Sequence, residues 1–258
     1  MERFQHEENK EQREKEVKVL IIIPAYNEEE NIADVVEHLT SQLMAGILDA
    51  RLSVDYLIIN DGSRDSTLEI CDKKHFQYLN LPINLGIGGA VQAGYVYAAR
   101  NSYDIAVQMD GDGQHDIAYL GDMLKPLLED EADIVIGSRF LEREGFQSSI
   151  TRRMGIKVLS LLIRLTTGKK IMDVTSGYRA VNKRFIGIYA NDYPTDYPEP
   201  EAIVTAIMNR GRIMEIPVQM RAREGGSSSI TFGKSVYYMI KVTLAILVCR
   251  LSYGIRRG

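Results

Sequence analysis

Cysteine is scarce in this chain of 258 residues: Cys71 and Cys249 are the only two, and neither belongs to a CxxC pair. That spacing excludes the common structural zinc sites and any disulfide framework, and it fits a reducing, cytoplasmic compartment. Long apolar runs are also lacking. The longest, residues 236–248, is interrupted by Lys241 and falls short of the ~20 residues that a membrane-spanning helix needs. The opening segment, MERFQHEENKEQREKEVK, is charged throughout and has no apolar stretch of the secretory type. Positive charge is not in surplus: 31 Lys and Arg stand against 35 Asp and Glu, giving a net charge of -4. This balance argues against a general nucleic-acid binder, and no nucleic-acid partner is expected.

What is present is an ordinary globular mixture, 45% hydrophobic and 26% charged. The length suits one large α/β domain, or one domain with an appendage. Residues 1–16 read as a solvated extension, helical if pairs such as Glu11/Lys15 and Glu14/Lys18 act.

Residues 17–23 (VKVLIII) are short, β-branched and stopped by Pro24, which predicts a fully buried strand. Asn27 and Glu30 then predict a capping box and a helix to about residue 39. Residues 53–60 predict the next strand, and Ser66 with Glu69 a further capped helix. A short strand at 76–79, a glycine-rich turn at 84–89 and a helix at 90–100 follow. Residues 105–109 and 133–137 read as buried strands, with a helix at 117–128 between them. Strands that alternate with helices require crossover connections, hence a mainly parallel sheet flanked by helices. Further on, helices are expected at 149–167, at 202–211 with Gly211 as the stop, and at 232–253, and a strand at 213–220.

In parallel sheets ligands bind beyond the carboxyl ends of the strands. Three polar motifs fall directly after predicted strands: residues 24–28 (PAYNE), 60–65 (NDGSRD) and 110–114 (DGDGQ). Asp110 and Asp112 repel each other unless a cation sits beside them, and hard oxygen donors suit Mg²⁺ or Mn²⁺. The intervening Gly111 lets backbone approach a diphosphate. A cation there would neutralise a diphosphate leaving group. Taken alone, the same residues also read as an acidic turn. Asp61 could accept from a base or ribose, or simply turn the chain into the next helix. Tyr26 could pack on a nucleobase and Glu28 accept from it, or both could serve the cap and core. His115 reads as a near-site group or as a satisfied loop histidine.

As an ordered set, PAYNEEENI, NDGS, DGDGQ, IGSRF and DVTSGYRA resemble the family 2 inverting glycosyltransferases, over about residues 17–240. Within that family the chain is similar to the polyprenyl-phosphate glycosyltransferases, the group that includes dolichyl-phosphate mannose synthase. The resemblance implies an α/β nucleotide-binding fold of the GT-A type over residues 17–231, with residues 232–258 an apolar and basic helix that docks on a membrane or a partner. It implies that Pro24, Ala25, Tyr26 and Glu28 line the nucleobase pocket and that Ile59 and Asp61 contact the nucleoside. Asp110, Gly111 and Asp112 would meet the diphosphate, with Asp110, Asp112 and Gln114 holding Mg²⁺ or Mn²⁺. Arg139 would bind donor diphosphate or acceptor phosphate, with Arg153 and Arg223 also on substrate. Asp112, Arg139 and Asp110 are thus the expected catalytic residues. Two positions depart from the family pattern. Asn60 replaces an Asp, and Ser229 stands where the dolichol-type enzymes carry Lys, unless Lys234 substitutes. The glycines after Arg223 suggest a lid over the donor.

The expected reaction is inverting transfer of a sugar from a nucleotide diphosphate sugar to a polyprenyl phosphate, undecaprenyl phosphate for example, feeding cell-wall or surface-glycan synthesis. The alternative is a family member acting on a glycan hydroxyl. A hydroxyl wants a carboxylate base, for which Asp173, Glu199 and Glu201 are candidates, whereas a phosphate needs only cationic guidance from Arg139, Arg152 and Arg153. The helix at 149–167 carries Ile150, Met154, Val158, Leu161, Leu162 and Leu165 beside basic residues. That pattern fits a helix on a membrane surface, or one facing a core with a solvated side. The C-terminal helix could dock on lipid, its own core, a second copy or a small membrane protein. A peripheral position on the inner face of the cell membrane is expected. A dinucleotide-binding fingerprint at Asn84 to Gly89 fails, because GxGxxG requires glycine where Val91 stands.

Overall fold

The computed structural model describes residues 16–46, 48–141, 150–196, 198–220 and 239–249. The strands are β1 (Val17–Ala25), β2 (Leu52–Asn60), β3 (Tyr78–Asn80), β4 (Ile105–Gln108), β5 (Ile134–Ser138), β6 (Arg179–Asn182) and β7 (Ile213–Pro217). The helices are α1 (Ile32–Met44), α2 (Thr67–Lys73), α3 (Gly86–Arg100), α4 (Leu120–Leu128), α5 (Ile150–Thr167), α6 (Lys183–Asn191) and α7 (Pro198–Met208). Residues 239–249 form a further helix, α8.

The sheet has seven strands in the order β3-β2-β1-β4-β6-β5-β7. All pairings are parallel except those of β6, which runs antiparallel to both β4 and β5. The expected mainly parallel α/β architecture is therefore present.

Strand β1 shows why both faces are covered. Its residues 19–23 alternate between two cores: Leu20 and Ile22 face one, Val19, Ile21 and Ile23 the other. The first core is completed by α3, α5, α6, α7 and α8 through Tyr95, Leu159, Phe185, Ile203 and Val242. The second is completed by α1, α2 and α4 through Val36, Cys71 and Met123. A continuous β-branched run is what such a two-sided burial demands. Helix α3 lies so close to β1 that a Cβ on Gly94 would sit 2.3 Å from Ile22 Cγ2, so glycine is required there. Cys71 is wholly buried, and burial pushes its thiol up to about 11, consistent with a packing role.

Several expectations need correction. Asn27 is not a helix cap: α1 starts at Ile32, and Asn27 takes a left-handed conformation, φ 56°. Ser66 makes no side-chain cap; instead Asp65 Oδ1 accepts from Thr67 N at 3.0 Å. Helix α7 begins at Pro198 and stops at Met208, with Arg210 rather than Gly211 left-handed. Strand β6 and helix α6 were not foreseen at all. Residues 1–15 of the expected N-terminal extension, and residues 232–238 and 250–258 of the expected C-terminal segment, lie outside the described residues.

Candidate functional site

The ends of β1 and β2 are locked in register, with Pro24 opposite Ile59 and Ala25 opposite Asn60. Beyond them the two loops are laced together. Asn27 N donates to Ser63 Oγ at 3.0 Å, and Arg64 N returns a bond to Asn27 Oδ1 at 2.8 Å. Glu28 N donates to Thr67 Oγ1 at 2.9 Å, while Glu28 Oε2 accepts from Asn31 at 2.8 Å. Of the predicted base-pocket residues, Tyr26 is exposed and Glu28 half-buried, whereas Pro24 and Ala25 are buried. The side chain of Ile59 is wholly buried in the core, so a nucleoside contact at this position would be made by its main chain.

Asp61, the other residue expected at the nucleoside, is engaged within the chain. Its Oδ1 accepts from Leu85 N at 2.7 Å and its Oδ2 from Gly86 N at 2.9 Å. The carboxylate thus satisfies free amides at the start of α3 and meets the positive end of that helix. Burial raises its pKa, against the lowering effect of the two amides.

At the end of β4, the chain turns through Asp110, Gly111, Asp112, Gly113 and Gln114. Asp110 is braced from beneath: its N–H donates to His115 Nδ1 at 2.9 Å, and His115 stacks on Tyr178 at 4.9 Å between centroids. His115 is therefore a satisfied loop histidine that positions the acidic turn, its Nε2 3.7 Å from Asp110 Oδ2. The Asp110 side chain keeps 36% of its surface exposed. Asp112 Oδ1 accepts from Gln114 N at 3.1 Å, which folds the turn back on itself.

Two carboxylates and the Gln114 amide oxygen are hard donors of the kind that Mg²⁺ and Mn²⁺ take. Among the described residues no group of three or more His, Cys, Asp or Glu side chains is arranged to hold a metal. That donor set, two carboxylates and one amide oxygen, would suit a divalent cation.

Strand β6 explains how DVTSGYRA reaches the same edge. It runs antiparallel, so its first residue, Arg179, pairs with Gln108 and Ile136 near the carboxyl ends of β4 and β5. The preceding segment then lies over those ends. A Cβ on Gly177 would sit 2.8 Å from Asp110 Oδ2, so this glycine makes room for the carboxylate. Arg179 is buried and donates to the carbonyls of Ser176 at 2.8 Å and Glu199 at 2.8 Å, tying this segment to α7.

Arg139, just past β5, is held along one edge by Asp173. Arg139 N and Nε donate to Asp173 Oδ2 at 3.0 and 2.7 Å, and Nη2 donates to Oδ1 at 2.7 Å. Nη2 also donates to Thr175 Oγ1 at 2.9 Å, which leaves Nη1 as the nitrogen without a hydrogen bond among the described residues. Burial alone would lower the pKa of Arg139, but the bonds and charge of Asp173, with Asp110 and Glu199 beyond, raise it. Burial raises the pKa of the half-buried Glu199.

The sequence-predicted residues at 24–28, 59–61, 110–114 and 139 therefore share the carboxyl edge of the sheet. Arg153 lies half-exposed on α5, while Arg223, Ser229, Lys234 and the side chain of Arg152 lie outside what is described. Thr175, Gly177 and Arg179 were singled out by no local signal beyond their motif. Glu215 showed only as a charge within the apolar run IMEIP.

The model of a family described as "Glycosyl transferase family 2" matches residues 20–187. The chain is 28% identical, over 91% of its length and 96% of the relative's, to a UDP-N-acetylglucosamine--dolichyl-phosphate N-acetylglucosaminyltransferase of Methanococcus voltae. It is 30% identical, over 88% of its length and 93% of the relative's, to an undecaprenyl-phosphate mannosyltransferase of Micrococcus luteus. Among solved structures it shares its fold with glucosyl-3-phosphoglycerate synthase from Mycobacterium tuberculosis in complex with Mn²⁺, uridine diphosphate and glucosyl-3-phosphoglycerate. That likeness has a TM-score of 0.64 at 19% identity, over 91% of this chain and 80% of the other.

Proposed function

The chain belongs to glycosyl transferase family 2 and is a glycosyltransferase, and we propose that it transfers a sugar from a nucleotide diphosphate sugar to a polyprenyl phosphate with inversion. The observation that carries this reading is that an acidic turn, Asp110 to Gln114, and a guanidinium, Arg139, follow β4 and β5 at one edge of the sheet, with Asp110 near enough to raise the Arg139 pKa. The two relatives named for transfer to dolichyl and undecaprenyl phosphate support the acceptor.

In this reading an oxygen of the acceptor phosphate attacks the anomeric carbon while the bond from that carbon to the diphosphate oxygen breaks. The bonding pair leaves with the nucleotide diphosphate. The acceptor is already an anion, so no side chain has to remove a proton. Arg139 offers Nη1 to a phosphate, its other donors being held by Asp173 and Thr175. Asp110, Asp112 and Gln114 would hold Mg²⁺ or Mn²⁺, which supplies Lewis-acid stabilisation of the leaving diphosphate. The Mn²⁺ and uridine diphosphate of the mycobacterial synthase support a divalent cation in the reaction. Tyr26 and Glu28 would take the nucleobase.

No helix among the described residues is long and apolar enough to cross a membrane. A peripheral position on a membrane, expected at its inner face, draws its support for membrane contact from α5 and α8. Helix α5 buries Ile156, Leu159 and Ile163 but exposes Met154, Val158, Leu161 and Leu165 at helical spacing, beside the exposed Lys157 and Arg164. Helix α8 buries Val242 and Ile246 and exposes Ile240, Leu244, Leu247 and Val248. Such double-sided helices suit insertion of one face into lipid.

Glu199 favours a second reading, transfer to a glycan hydroxyl, because an acid of raised pKa beside Asp110 and Arg139 suits a general base. Incubation of the protein with labelled nucleotide sugars, Mn²⁺, undecaprenyl phosphate and a mixture of oligosaccharide acceptors separates the two. A chloroform-soluble labelled product is expected. Label found solely in water-soluble glycan would overturn the lipid-phosphate acceptor.

A further inference from the structure

Glu215 stands on β7, in register with Ile136 of β5, at the level where the sheet approaches Arg139. Its carboxylate is half-buried and accepts from two consecutive main-chain amides, Met172 N at Oε2 and Asp173 N at Oε1, both at 2.8 Å. Those amides belong to the connection between α5 and β6 and have no strand partner of their own. A carboxylate that takes two N–H donors fixes the peptide plane between them. The plane fixed here is the one that carries Asp173. The Asp173 side chain is itself wholly buried, so it has no freedom to follow Arg139 if the backbone shifts. Its carboxylate in turn sets the guanidinium edge through three bonds.

We propose that Glu215 is a positioning residue: through the amides of residues 172 and 173 it fixes Asp173, and through Asp173 it aims the Nη1 end of Arg139 at the reacting phosphate. The assignment rests on the proposed role of Arg139 in the transfer. It makes the chemistry of Glu215 specific. A glutamine can accept one of the two amides but turns an N–H₂ toward the other, so the charge-neutral, nearly isosteric side chain cannot do the same work.

The test is a double-mutant cycle in turnover. Wild type, Glu215→Gln, Arg139→Lys and the double variant are assayed for transfer to undecaprenyl phosphate, with kcat and each KM separated and melting temperatures recorded. Misplacement of a reacting group by about 1 Å can cost about 100-fold. The expected result is a fall of that order in kcat for Glu215→Gln, with KM for the nucleotide sugar unchanged. Added to Arg139→Lys, Glu215→Gln should cost nothing further, because residues acting through one another are not additive. Ile186→Val, a core change in α6 away from this chain of contacts, should lower the melting temperature without changing kcat. Full additivity in the cycle, or wild-type kcat for Glu215→Gln, would overturn the proposal. If Glu215→Gln does not fold, Glu215→Asp, which keeps the charge but is one methylene shorter, enters the same cycle with the same criterion. If the wild type transfers nothing to the lipid phosphate, the acceptor reading fails by itself. The cycle is then read from hydrolysis of the nucleotide sugar, where additivity again overturns the role of Glu215.

Discussion

The carboxylate of Asp173 lies edge-on to the guanidinium of Arg139, with Nε to Oδ2 and Nη2 to Oδ1 both at 2.7 Å. Asp173 is shielded from solvent and Arg139 nearly so. An ion pair this deep gains little over a well-packed apolar pair, but loss of one partner strands the other charge. Asp173→Ala is therefore expected to destabilise the fold by about 3–5 kcal/mol in urea unfolding. Adding Arg139→Met should recover most of that loss while transfer stays abolished. A double variant as unstable as Asp173→Ala alone would show that packing, not the stranded charge, sets the cost.

The contact between Gly177 and Asp110 gives a second prediction. A methyl at position 177 would press on Asp110 Oδ2 from 2.8 Å, and the carboxylate has to yield. Gly177→Ala should leave the melting temperature within a few degrees of wild type. Displacement of a supporting contact typically costs about 10–100-fold in metal affinity. Mn²⁺ titration of nucleotide-diphosphate binding measures this, and unchanged Mn²⁺ dependence would separate Asp110 from the cation.

Asp61 gives a third. It caps α3 through Leu85 N and Gly86 N, and loss of a helix cap costs about 0.5–2 kcal/mol. Asp61→Ala is expected to lower stability by that amount. If the carboxylate serves only the helix, the variant should bind nucleotide diphosphate as wild type does in a thermal-shift titration. A loss of affinity beyond the loss of stability would restore the nucleoside contact that the family resemblance implies.

These sites show where the sequence was readable. Strands β1, β2, β4 and β5 announce themselves because burial on both faces forces runs such as VLIII and DIVIG, and the motifs after them follow the rule for parallel sheets. Strand β6 did not, because it is four residues long, antiparallel and opened by a buried arginine. Its only local signal was a motif whose place in space depended on the strand itself. The Asn27 cap failed because its side chain found a long-range partner in the backbone of Arg64, 37 positions away. The same holds for Arg139: nothing local says that its charge is met by Asp173, 34 positions on. Long-range polar partners are set by topology, and topology was only partly in view.

The pH dependence of stability should bear the mark of Glu199. Burial raises its carboxyl pKa, Arg179 opposes the rise and Asp110 adds to it. The folded protein then keeps a proton at pH values where the unfolded chain has released it. Wherever the folded state binds more protons, stability falls as pH rises. The contribution is whole below the ordinary glutamate range, about pH 4.3, and is lost as pH climbs through the raised value. Glu199→Gln should flatten that slope and be stabilising at neutral pH. Asp61, also raised by burial, has the same sign and leaves a residual slope in the variant. Melting temperatures across the acidic range give the comparison, and parallel curves for wild type and Glu199→Gln would count against a proton-holding Glu199.

The outward faces of α5 and α8 give the last prediction. Leu161 and Leu244 are each more than half exposed, on opposite sides of their helices from the buried Leu159 and Ile246. If these faces rest in lipid, each leucine withdrawn from it forfeits about 1.5–3 kcal/mol, and a charge put in its place costs more. Leu161→Glu with Leu244→Glu should then weaken binding to anionic vesicles by well over about tenfold, since each 1.4 kcal/mol is a factor of ten. The binding of wild type should fall with salt, because Lys157 and Arg164 attract the anionic surface through a screened field. Both substituted positions are exposed, so the melting temperature should hold. Transfer to a short, water-soluble polyprenyl phosphate should also proceed at the wild-type rate, whereas transfer to vesicle-bound undecaprenyl phosphate should drop. Equal loss on both acceptors would place these helices in the folding of the site, and equal retention on both would mean that lipid is not what covers them.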